Sequence, residues 1–221
     1  MSTDYIEFIA KLRQGNPSPG GLLLLRQCLS SVAPIRTEGK ILEIGSNTGA
    51  SLAAIAEYYP KQEVIGIDNA DSMVEECKKY IESLMSEGRI GQNVSVEKAN
   101  AESLPYPNES FDLVVSGGTL SFVNDRAKAV QEVERVLKSG GTFLSIEYGY
   151  YDVLPPKSIS DALSDVLGFN VAELTHNYWH SLHSMGSLEL EGVDVREAFV
   201  HRTKDISKAV KAVEDHLKRK K

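Results

Sequence analysis

The stretch "KILEIGSNTGASL" (residues 40–52) joins an apolar run to a turn that two glycines, Gly45 and Gly49, enclose. Glycine lacks a Cβ atom, so a ligand or another backbone can approach it closely. Asn47, between the glycines, is one of the few other residue types that tolerate a positive φ. In an open parallel sheet, ligands bind outside the carboxyl ends of the strands. The stretch therefore predicts a strand, a turn and a helix, with a ligand beside the turn.

Short apolar runs alternate with longer amphipathic runs along the middle of the chain. Such alternation predicts an α/β fold whose parallel strands are joined by right-handed crossovers. The run "FDLVVS" is almost entirely apolar, as expected of a strand that is covered on both faces. The predicted strands are 40–44, 63–67, 93–98, 111–116 and 142–147, and the helices between them are 50–58, 71–86 and 124–138.

Both ends of the chain add segments to this core. Residues 15–21 contain two prolines and three glycines and predict a loop. Over residues 171–185, apolar side chains recur in one stripe at helical spacing, which predicts a helix. A strand over 169–174 is the alternative. The other predicted segments are helices over 1–14, 22–33, 158–167 and 205–219, and a hairpin within 187–203.

The composition limits the classes of function. The chain has 221 residues, 42% hydrophobic and 25% charged, which is ordinary for one soluble domain. Its net charge of −7 argues against broad nucleic-acid binding, because phosphate binding needs a basic face. No run reaches the roughly 18 apolar residues of a membrane span, and no signal-peptide pattern opens the sequence. We expect Cys28 and Cys77 to be reduced thiols in a cytoplasmic protein.

Polar residues at two strand ends indicate which ligand the turn faces. The dinucleotide fingerprint G-x-G-x-x-G fails, since Asn47 and Ala50 stand where it needs glycine. Glu43, near the end of the first strand, would repel a phosphate and attract a cation. Asp68, after the second strand, can accept hydrogen bonds from both ribose hydroxyls. The pattern favours a positively charged nucleoside without phosphates, such as S-adenosylmethionine. Two structural alternatives stay open: Glu43 could cap a backbone amide, and Asp68 could cap the next helix.

Four motifs in order carry a resemblance to a known family: "ILEIGSNTGAS", "VIGIDNADSM", "NAESLPYPNESFDLVVS" and "RVLKSGGTFLSIE". They resemble the successive motifs of class I S-adenosylmethionine-dependent methyltransferases, in particular the branch with the ubiquinone- and menaquinone-pathway enzymes. The resemblance covers about residues 38–148. It implies a doubly wound, Rossmann-like methyltransferase fold, with a mostly parallel sheet of seven strands and helices on both faces. It also implies S-adenosyl-L-methionine as the cofactor.

The resemblance also implies an arrangement of the whole chain. Residues 1–221 would form a single methyltransferase domain. Residues 1–37 would be a helical cap, 38–148 the cofactor-binding core, and 149–221 an acceptor-side segment that ends in the hairpin and helix. The alternative for the cap is that it only covers the sheet.

The same resemblance implies the residues that hold the cofactor. Those around its methionine part would be Glu43, Gly45, Ser46, Asn47 and Gly49. Asp68 would hold the ribose. Those along the adenine would be Asn69, Met73, Asn100, Ala101 and Glu102, and Ser116 would lie near the methyl group. The family usually has glycine at the place of Asn47 and aspartate at the place of Asn100, which suggests altered cofactor binding.

The acceptor is harder to predict than the cofactor. Positioning alone can supply on the order of 7–11 kcal/mol of barrier reduction, so a base need not exist, and the sequence identifies no catalytic residue. "SGGTLSFV" (116–123) lacks the Asn/Asp-Pro-Pro-aromatic run of amino-nucleobase methyltransferases and the cysteine of cytosine C5 enzymes. A small-molecule acceptor is therefore favoured. The alternatives are an RNA or protein methyltransferase that uses the basic tail, 204–221, and a cofactor-binding scaffold without turnover.

Several residues outside the motifs are candidates for the acceptor side. Tyr148 and Tyr151 follow the fifth strand and could line an acceptor pocket or a homodimer contact, and packing alone is the alternative. His180 shares one helix face with His176 and His183, a face that could be a pocket rim, a proton relay or a metal site. The simpler interpretation is that all three histidines are solvated or partly packed, and we predict no metal.

Overall fold

A computed structural model of the chain describes residues 19–149, 156–167, 170–189 and 192. In these ranges a five-stranded sheet has the order β3-β2-β1-β4-β5, and each neighbouring pair of strands is parallel. The strands are β1 (Lys40–Ile44), β2 (Glu63–Asp68), β3 (Val94–Lys98), β4 (Phe111–Gly117) and β5 (Leu137–Ile146). The predicted helices over 1–14 and 205–219 lie outside the described residues, as does nearly all of the predicted hairpin.

Six helices and two 3₁₀ turns are found in the described residues. The helices are α1 (Gly21–Leu29), α2 (Ala50–Tyr58), α3 (Asp71–Ser86), α4 (Arg126–Val136), α5 (Lys157–Leu167) and α6 (His176–His183). The 3₁₀ turns are Thr119–Phe122 and Val171–Glu173. None of the helices within the described ranges is long and apolar enough to cross a membrane.

The strand order reverses between β1 and β4. From β1 the chain moves outward to β2 and β3, then returns to the other side of β1 and continues outward to β5. In open α/β sheets, ligands bind in the crevice at such a switch point, outside the carboxyl ends of the strands. The turn after β1 lies at this point, as the sequence predicted.

Buried apolar side chains form two clusters, and successive residues of β1 belong to one cluster and then to the other. Ile41 of β1 belongs to the cluster that includes residues of α1, α2 and α3. Its neighbour Leu42, and Ile44 beyond it, belong to the cluster with residues of α4 and α6. Successive side chains of a strand point to opposite faces, so this alternation fixes where the polar residues of the strands lie.

Most element boundaries agree with the sequence predictions, and the exceptions have local causes. The helix predicted over 22–33 ends at Leu29, where the hydroxyls of Ser30 and Ser31 donate to the carbonyls of Gln27 and Cys28. The helix predicted over 124–138 begins at Arg126, because the Asp125 carboxylate accepts from the Lys128 amide at 3.0 Å.

The fifth strand begins earlier than predicted. Leu137 already pairs with Phe111, and the register shifts before Thr142 pairs with Leu113. The "SGG" segment, which the sequence marks as a turn into the strand, is therefore part of an irregular first half of β5. The prediction that the strand starts at residue 142 was wrong for this reason.

A single helix over 171–185 was also a wrong prediction, as was the alternative strand. The segment divides into the 3₁₀ turn Val171–Glu173 and α6. Thr175 separates them, because its hydroxyl accepts a hydrogen bond from the Tyr178 amide at 3.1 Å and caps α6. A capping side chain favours a new helix start over a continuous helix.

Candidate active site

The turn after β1 is held against β2 and the 3₁₀ turn at residue 119. The amides of Gly45 and Ser46 both donate to the Ile67 carbonyl at 2.8 Å. Gly45 has a φ of +74°, and a Cβ atom there would lie 2.0 Å from Oγ1 of Thr119. The Thr119 hydroxyl donates to the Ile44 carbonyl at 2.9 Å. Glycine at position 45 is therefore required by a tertiary contact, as well as by any ligand that approaches the turn.

Two further residues of the turn, Asn47 and Gly49, also have positive φ values. Asn47 has a φ of +51°, as its tolerance for this region predicted. Gly49 has a φ of +95°, and a Cβ atom there would lie 2.9 Å from Sγ of Cys77 on α3. The Cys77 thiol is buried and donates a long hydrogen bond, 3.8 Å, to the Ser46 hydroxyl. The turn thus packs closely on three sides.

Asp68 joins the end of β2 to this turn. One carboxylate oxygen, Oδ2, accepts from the Asn47 amide at 3.0 Å, and the other, Oδ1, accepts from the Ala70 amide at 3.0 Å. Burial raises the pKa of Asp68, while the hydrogen bonds from the Ala70, Asn47 and Asn69 amides lower it. The N-cap of α3 is Ala70, so Asp68 does not cap the helix. Three of the four lone pairs of the carboxylate thus accept from amides, and one remains for a further donor.

Glu43 is almost completely buried beside the turn. The residue is 1% exposed, and burial raises the pKa of its carboxyl to about 8. A hydrogen bond from Ser51, in the first turn of α2, lowers that pKa, and the charge of Asp68 raises it. Oε2 of Glu43 has no hydrogen-bond partner among the described residues. The bond to Ser51 argues against the alternative in which Glu43 caps a backbone amide.

The residues predicted along the adenine lie next to the ends of β2 and β3. Met73 and Ala101 are buried, at 5% and 8% exposed, and Asn69 is exposed. Asn100 forms a local turn, in which its Oδ1 accepts from the Glu102 amide at 2.9 Å. One lone pair of the Asn100 carbonyl is therefore already engaged. Glu102 is also engaged, because its Oε1 accepts from the Asn124 amide at 2.8 Å.

Ser116, at the end of β4, leads to a residue that sequence reasoning missed. Its buried hydroxyl donates to Oε1 of Glu147 at 3.0 Å, and the Ser145 hydroxyl donates to the same oxygen at 3.2 Å. The Leu120 amide is a further donor to this carboxylate. Glu147 directly follows β5. A carboxylate after an apolar strand is the signal that identified Asp68, and applied here it would have identified Glu147.

The carboxyl of Glu147 is more buried than the residue as a whole. The residue is of intermediate exposure, but its Oε2 atom is buried and has no hydrogen-bond partner in the described part of the chain. Burial raises the pKa of Glu147 to about 8. Hydrogen bonds from Ser116, Ser145 and Leu120, and the charge of Arg126, act in the opposite direction.

Only some of the residues predicted for the acceptor side lie near one another in the structure. Tyr148 is 53% exposed, and its carbonyl accepts from Nε1 of Trp179 at 2.6 Å, which ties the end of β5 to α6. His180 is exposed on α6, with its ring 6.4 Å from that of His176. His183 does not share their surroundings, because its ring stacks on Trp179 and packs edge-on against Phe143. Tyr151 lies outside the described residues.

One cavity, of about 470 Å³, lies between the start of α4 and α6. Its lining contains none of the residues predicted to hold the cofactor, and consists of Asn124, Asp125, Arg126, Ala127, Tyr178, Ser181, Leu182 and Met185. Within the described ranges, no group of three or more His, Cys, Asp or Glu residues could hold a metal ion.

Chemically, the crevice at the ends of β1 and β2 offers acceptor oxygens near a buried carboxyl, which suits a ligand with hydroxyl groups and positive charge.

Comparison with known proteins identifies the family of the chain. Residues 42–145 match the family model described as a methyltransferase domain. YodH of Bacillus subtilis (strain 168), an uncharacterized methyltransferase, is 30% identical over 179 residues, which are 80% of this chain and 71% of YodH. The ubiquinone/menaquinone biosynthesis C-methyltransferase UbiE of Pasteurella multocida (strain Pm70) is 35% identical over 136 residues, which are 61% of this chain and 47% of UbiE.

A solved structure gives the same result for the fold. YcgJ of Bacillus subtilis, an uncharacterized methyltransferase, is 30% identical over 166 residues, which are 73% of this chain and 61% of YcgJ. Its crystal structure superposes with a TM-score of 0.57 over 73% of this chain and 64% of that chain, at 27% identity. The chain therefore spans less than two thirds of YcgJ and about half of UbiE.

Proposed function

The chain belongs to the class I S-adenosylmethionine-dependent methyltransferases, and we propose that it transfers the methyl group of this cofactor to a small-molecule acceptor. The observation that carries the proposal is the arrangement of Glu43 and Asp68 around the glycine turn. Asp68 offers ribose acceptors, and Glu43 places a carboxyl near a sulfonium. The two carboxyl groups therefore suit both the ribose hydroxyls and the positive charge of the cofactor.

The residues of the crevice would hold the cofactor in a definite direction across the sheet. Asp68 of β2 takes the ribose, and Met73 and Ala101 supply apolar contact to the adenine beyond it, toward β3. The turn 45–49 takes the methionine part over β1. Because β4 lies on the other side of β1 from β2, the methyl group points toward the ends of β4 and β5, where Ser116 lies. Binding at this edge leaves the acceptor the space above β4 and β5.

The chemistry of the acceptor is proposed from relatives. UbiE is named as a C-methyltransferase of quinone biosynthesis, which is a small-molecule reaction, and the net charge of −7 disfavours a nucleic acid. We propose that positioning supplies much of the catalysis, since in-line displacement needs the acceptor atom held opposite the sulfur. Tyr148, Tyr151 and His180 stay candidates for the acceptor pocket.

The larger arrangement predicted from the sequence also stays a proposal. It comprises a seven-stranded, doubly wound sheet with helices on both faces, in a single domain over 1–221. The alternation of β1 residues between two apolar clusters supports helical layers on both faces. Cytoplasmic location and a homodimer are proposed with it.

Calorimetry with S-adenosylmethionine and S-adenosylhomocysteine tests the cofactor site. Asp68→Ala removes the ribose acceptors and should weaken both ligands more than tenfold, which is about 1.4 kcal/mol. Asp68→Asn keeps one acceptor oxygen and should weaken them less. Asp112→Asn is the matched control, since Asp112 lies at the opposite end of β4. Unchanged affinity in Asp68→Ala, or tight binding of NAD in place of the methyl donor, would contradict the site.

Transfer of a radiolabelled methyl group to an acceptor panel tests turnover. We expect S-adenosylhomocysteine to form in the presence of one class of small acceptor. Salt-sensitive transfer to RNA in place of small molecules would favour a nucleic-acid methyltransferase. Tight binding of the cofactor with no transfer to any acceptor would favour the non-catalytic scaffold.

A further inference from the structure

Glu147 is a buried acid at the edge of the sheet where the acceptor would bind. It directly follows β5, the outer neighbour of β4 in the sheet. Methyl transfer to an O–H, N–H or C–H group releases a proton, whereas transfer to a tertiary amine or a thioether does not. A base at this edge would therefore serve only acceptors that carry a proton on the reacting atom.

The hydrogen bonds of Glu147 leave one of its oxygens available. Oε1 accepts from the hydroxyls of Ser116 and Ser145 at 3.0 and 3.2 Å. Oε2 is buried and has no partner within the described ranges. A buried carboxylate oxygen without a donor is costly unless something completes it. Two hydroxyls fix the position of Oε1, and Oε2 remains for a proton.

The surroundings of Glu147 suit a group that gains and loses a proton near neutral pH. Arg126 on α4 is the charged group that acts on it, and the guanidinium of Arg126 itself donates to the carbonyls of Leu120 and Ser121. On the side of α6, His183 stacks on Trp179, whose indole donates to the carbonyl of Tyr148. A base is most effective when its pKa lies near the working pH.

We infer that Glu147 is the proton acceptor of the methyl-transfer step, and that the methyl acceptor carries an ionisable proton. This inference rests on the proposed function. An electron pair of the acceptor forms the new bond to the methyl carbon, and the electrons of the carbon–sulfur bond pass to sulfur. The proton of the acceptor passes to Oε2 of Glu147. Oε2 itself is buried in the protein without substrate, so the acceptor must reach it in the substrate complex, where catalytic hydrogen bonds often tighten.

A pair of acceptors of similar size separates this role from a structural one. Radiolabelled methyl transfer is measured with hydroquinone, which must lose a proton, and with N,N-dimethylaniline, which need not. Glu147→Gln should lower transfer to hydroquinone by a factor on the order of 10²–10⁴ and leave transfer to dimethylaniline within about twofold. Asp112→Asn is the control for a carboxyl at the other edge. Equal loss with both acceptors, or no loss with hydroquinone, would overturn the inference.

The pH profile gives a second measurement. Activity with hydroquinone should rise with pH as Glu147 loses its proton. Ser116→Ala removes a hydrogen bond that favours the charged carboxylate, so it should move this rise to higher pH. A profile that does not move in Ser116→Ala and is the same in Glu147→Gln would contradict the assignment.

A third measurement needs no methyl transfer. The carboxyl resonance of Glu147 can be followed by carbon NMR in protein labelled at the glutamate carboxyls, and Glu147→Gln identifies it. We expect it to titrate well above the ordinary value of 4.5. If the wild-type protein binds the cofactor but methylates neither acceptor, the proposed function fails for these classes, and a titration in the ordinary range would then overturn the role of Glu147 as well.

Discussion

Carboxyl groups at the two ends of the parallel sheet have pKa shifts of opposite sign. At the carboxyl ends of the strands, Glu43 is buried and Asp68 and Glu147 are partly buried, and burial raises the pKa of each carboxyl. At the opposite end, Asp112 of β4 accepts from the Lys40 amide at 2.8 Å and from the Lys138 ammonium at 2.7 Å. Burial alone would raise the pKa of Asp112, but the bonds from Lys138 and Lys40 lower it overall.

The difference separates stability from function. A carboxylate with a lysine partner is satisfied in its charged form, so it stabilises the folded protein at neutral pH. A buried carboxyl with an unpartnered oxygen is poorly satisfied in its charged form and holds its proton. Such a group adds little stability. It can lose its proton when a cationic ligand binds or when the pH rises, and perturbed groups of this kind concentrate at functional sites.

The largest expected difference between the two ends is in the loss of stability when a glycine is replaced. Two glycines with nearly equal φ values allow the comparison. Gly45 has a φ of +74° and Gly140 a φ of +75°. A Cβ atom at position 45 would lie 2.0 Å from Oγ1 of Thr119, whereas a Cβ atom at position 140 would have no atom of the described residues, apart from its chain neighbours, within 4 Å. Gly140→Ala should cost about 1–2 kcal/mol of unfolding free energy, from backbone strain. Gly45→Ala adds overpacking and should cost at least about 3 kcal/mol.

Urea denaturation at neutral pH measures both variants. Cofactor affinity should fall in Gly45→Ala and stay unchanged in Gly140→Ala. Equal losses of stability would mean that the contact with Thr119 does not constrain the turn.

The next effect is a pH dependence of stability from the buried carboxyls. The pKa of Glu43 is about 8 in the folded protein, against an ordinary 4.5. The folded state then binds more protons than the unfolded state between these values, so stability falls as pH rises from about 4.5 to 8. The slope is up to about 1.4 kcal/mol per pH unit for each such group. Glu43→Gln and Glu147→Gln should each flatten the dependence of the melting temperature on pH, and a slope equal to that of the wild type would contradict the burial of that group.

Asp112 should show the opposite dependence. Its pKa is lowered, so its contribution is present above the ordinary value of 3.8 and is lost as pH falls through the folded value. Asp112→Asn should cost about 1 kcal/mol at pH 7, the scale of a hydrogen bond to a charged group that is partly exposed. The deficit should disappear in strong acid. Any change in cofactor affinity would show that the two ends are coupled.

The smallest effect is expected at an ion pair on the same end as Asp112. The Lys40 ammonium lies 2.7 Å from the Glu63 carboxylate, but the two side chains are 46% and 48% exposed. Exposed pairs are screened by water and salt, so Lys40→Ala should change unfolding free energy by less than about 0.5 kcal/mol. The backbone amide of Lys40, which Asp112 binds, is untouched. A larger loss would mean that charges at this end act as a network.

Much of the central fold could be predicted because its signals are local. The apolar runs of β1, β2 and β4 and the amphipathic period of α3 lie within single segments, and their observed bounds differ from the predicted ones by one residue at most. The turn residues could be predicted for the same reason, since positive φ is a property of residue type. Segments whose ends depend on side-chain caps or on a neighbouring strand, such as α6 and β5, were misjudged.

The sequence by itself determined the alternation of strands and helices, the positive φ of Asn47, and the carboxylates Glu43 and Asp68 at the strand ends. Only the tertiary structure decided that Gly45 faces Thr119, and that Ser116 and Ser145 converge on Glu147. Periodicity is set by neighbours along the chain, whereas these contacts depend on the register between strands. That register is fixed by hydrogen bonds between residues far apart in sequence, and no local pattern records it.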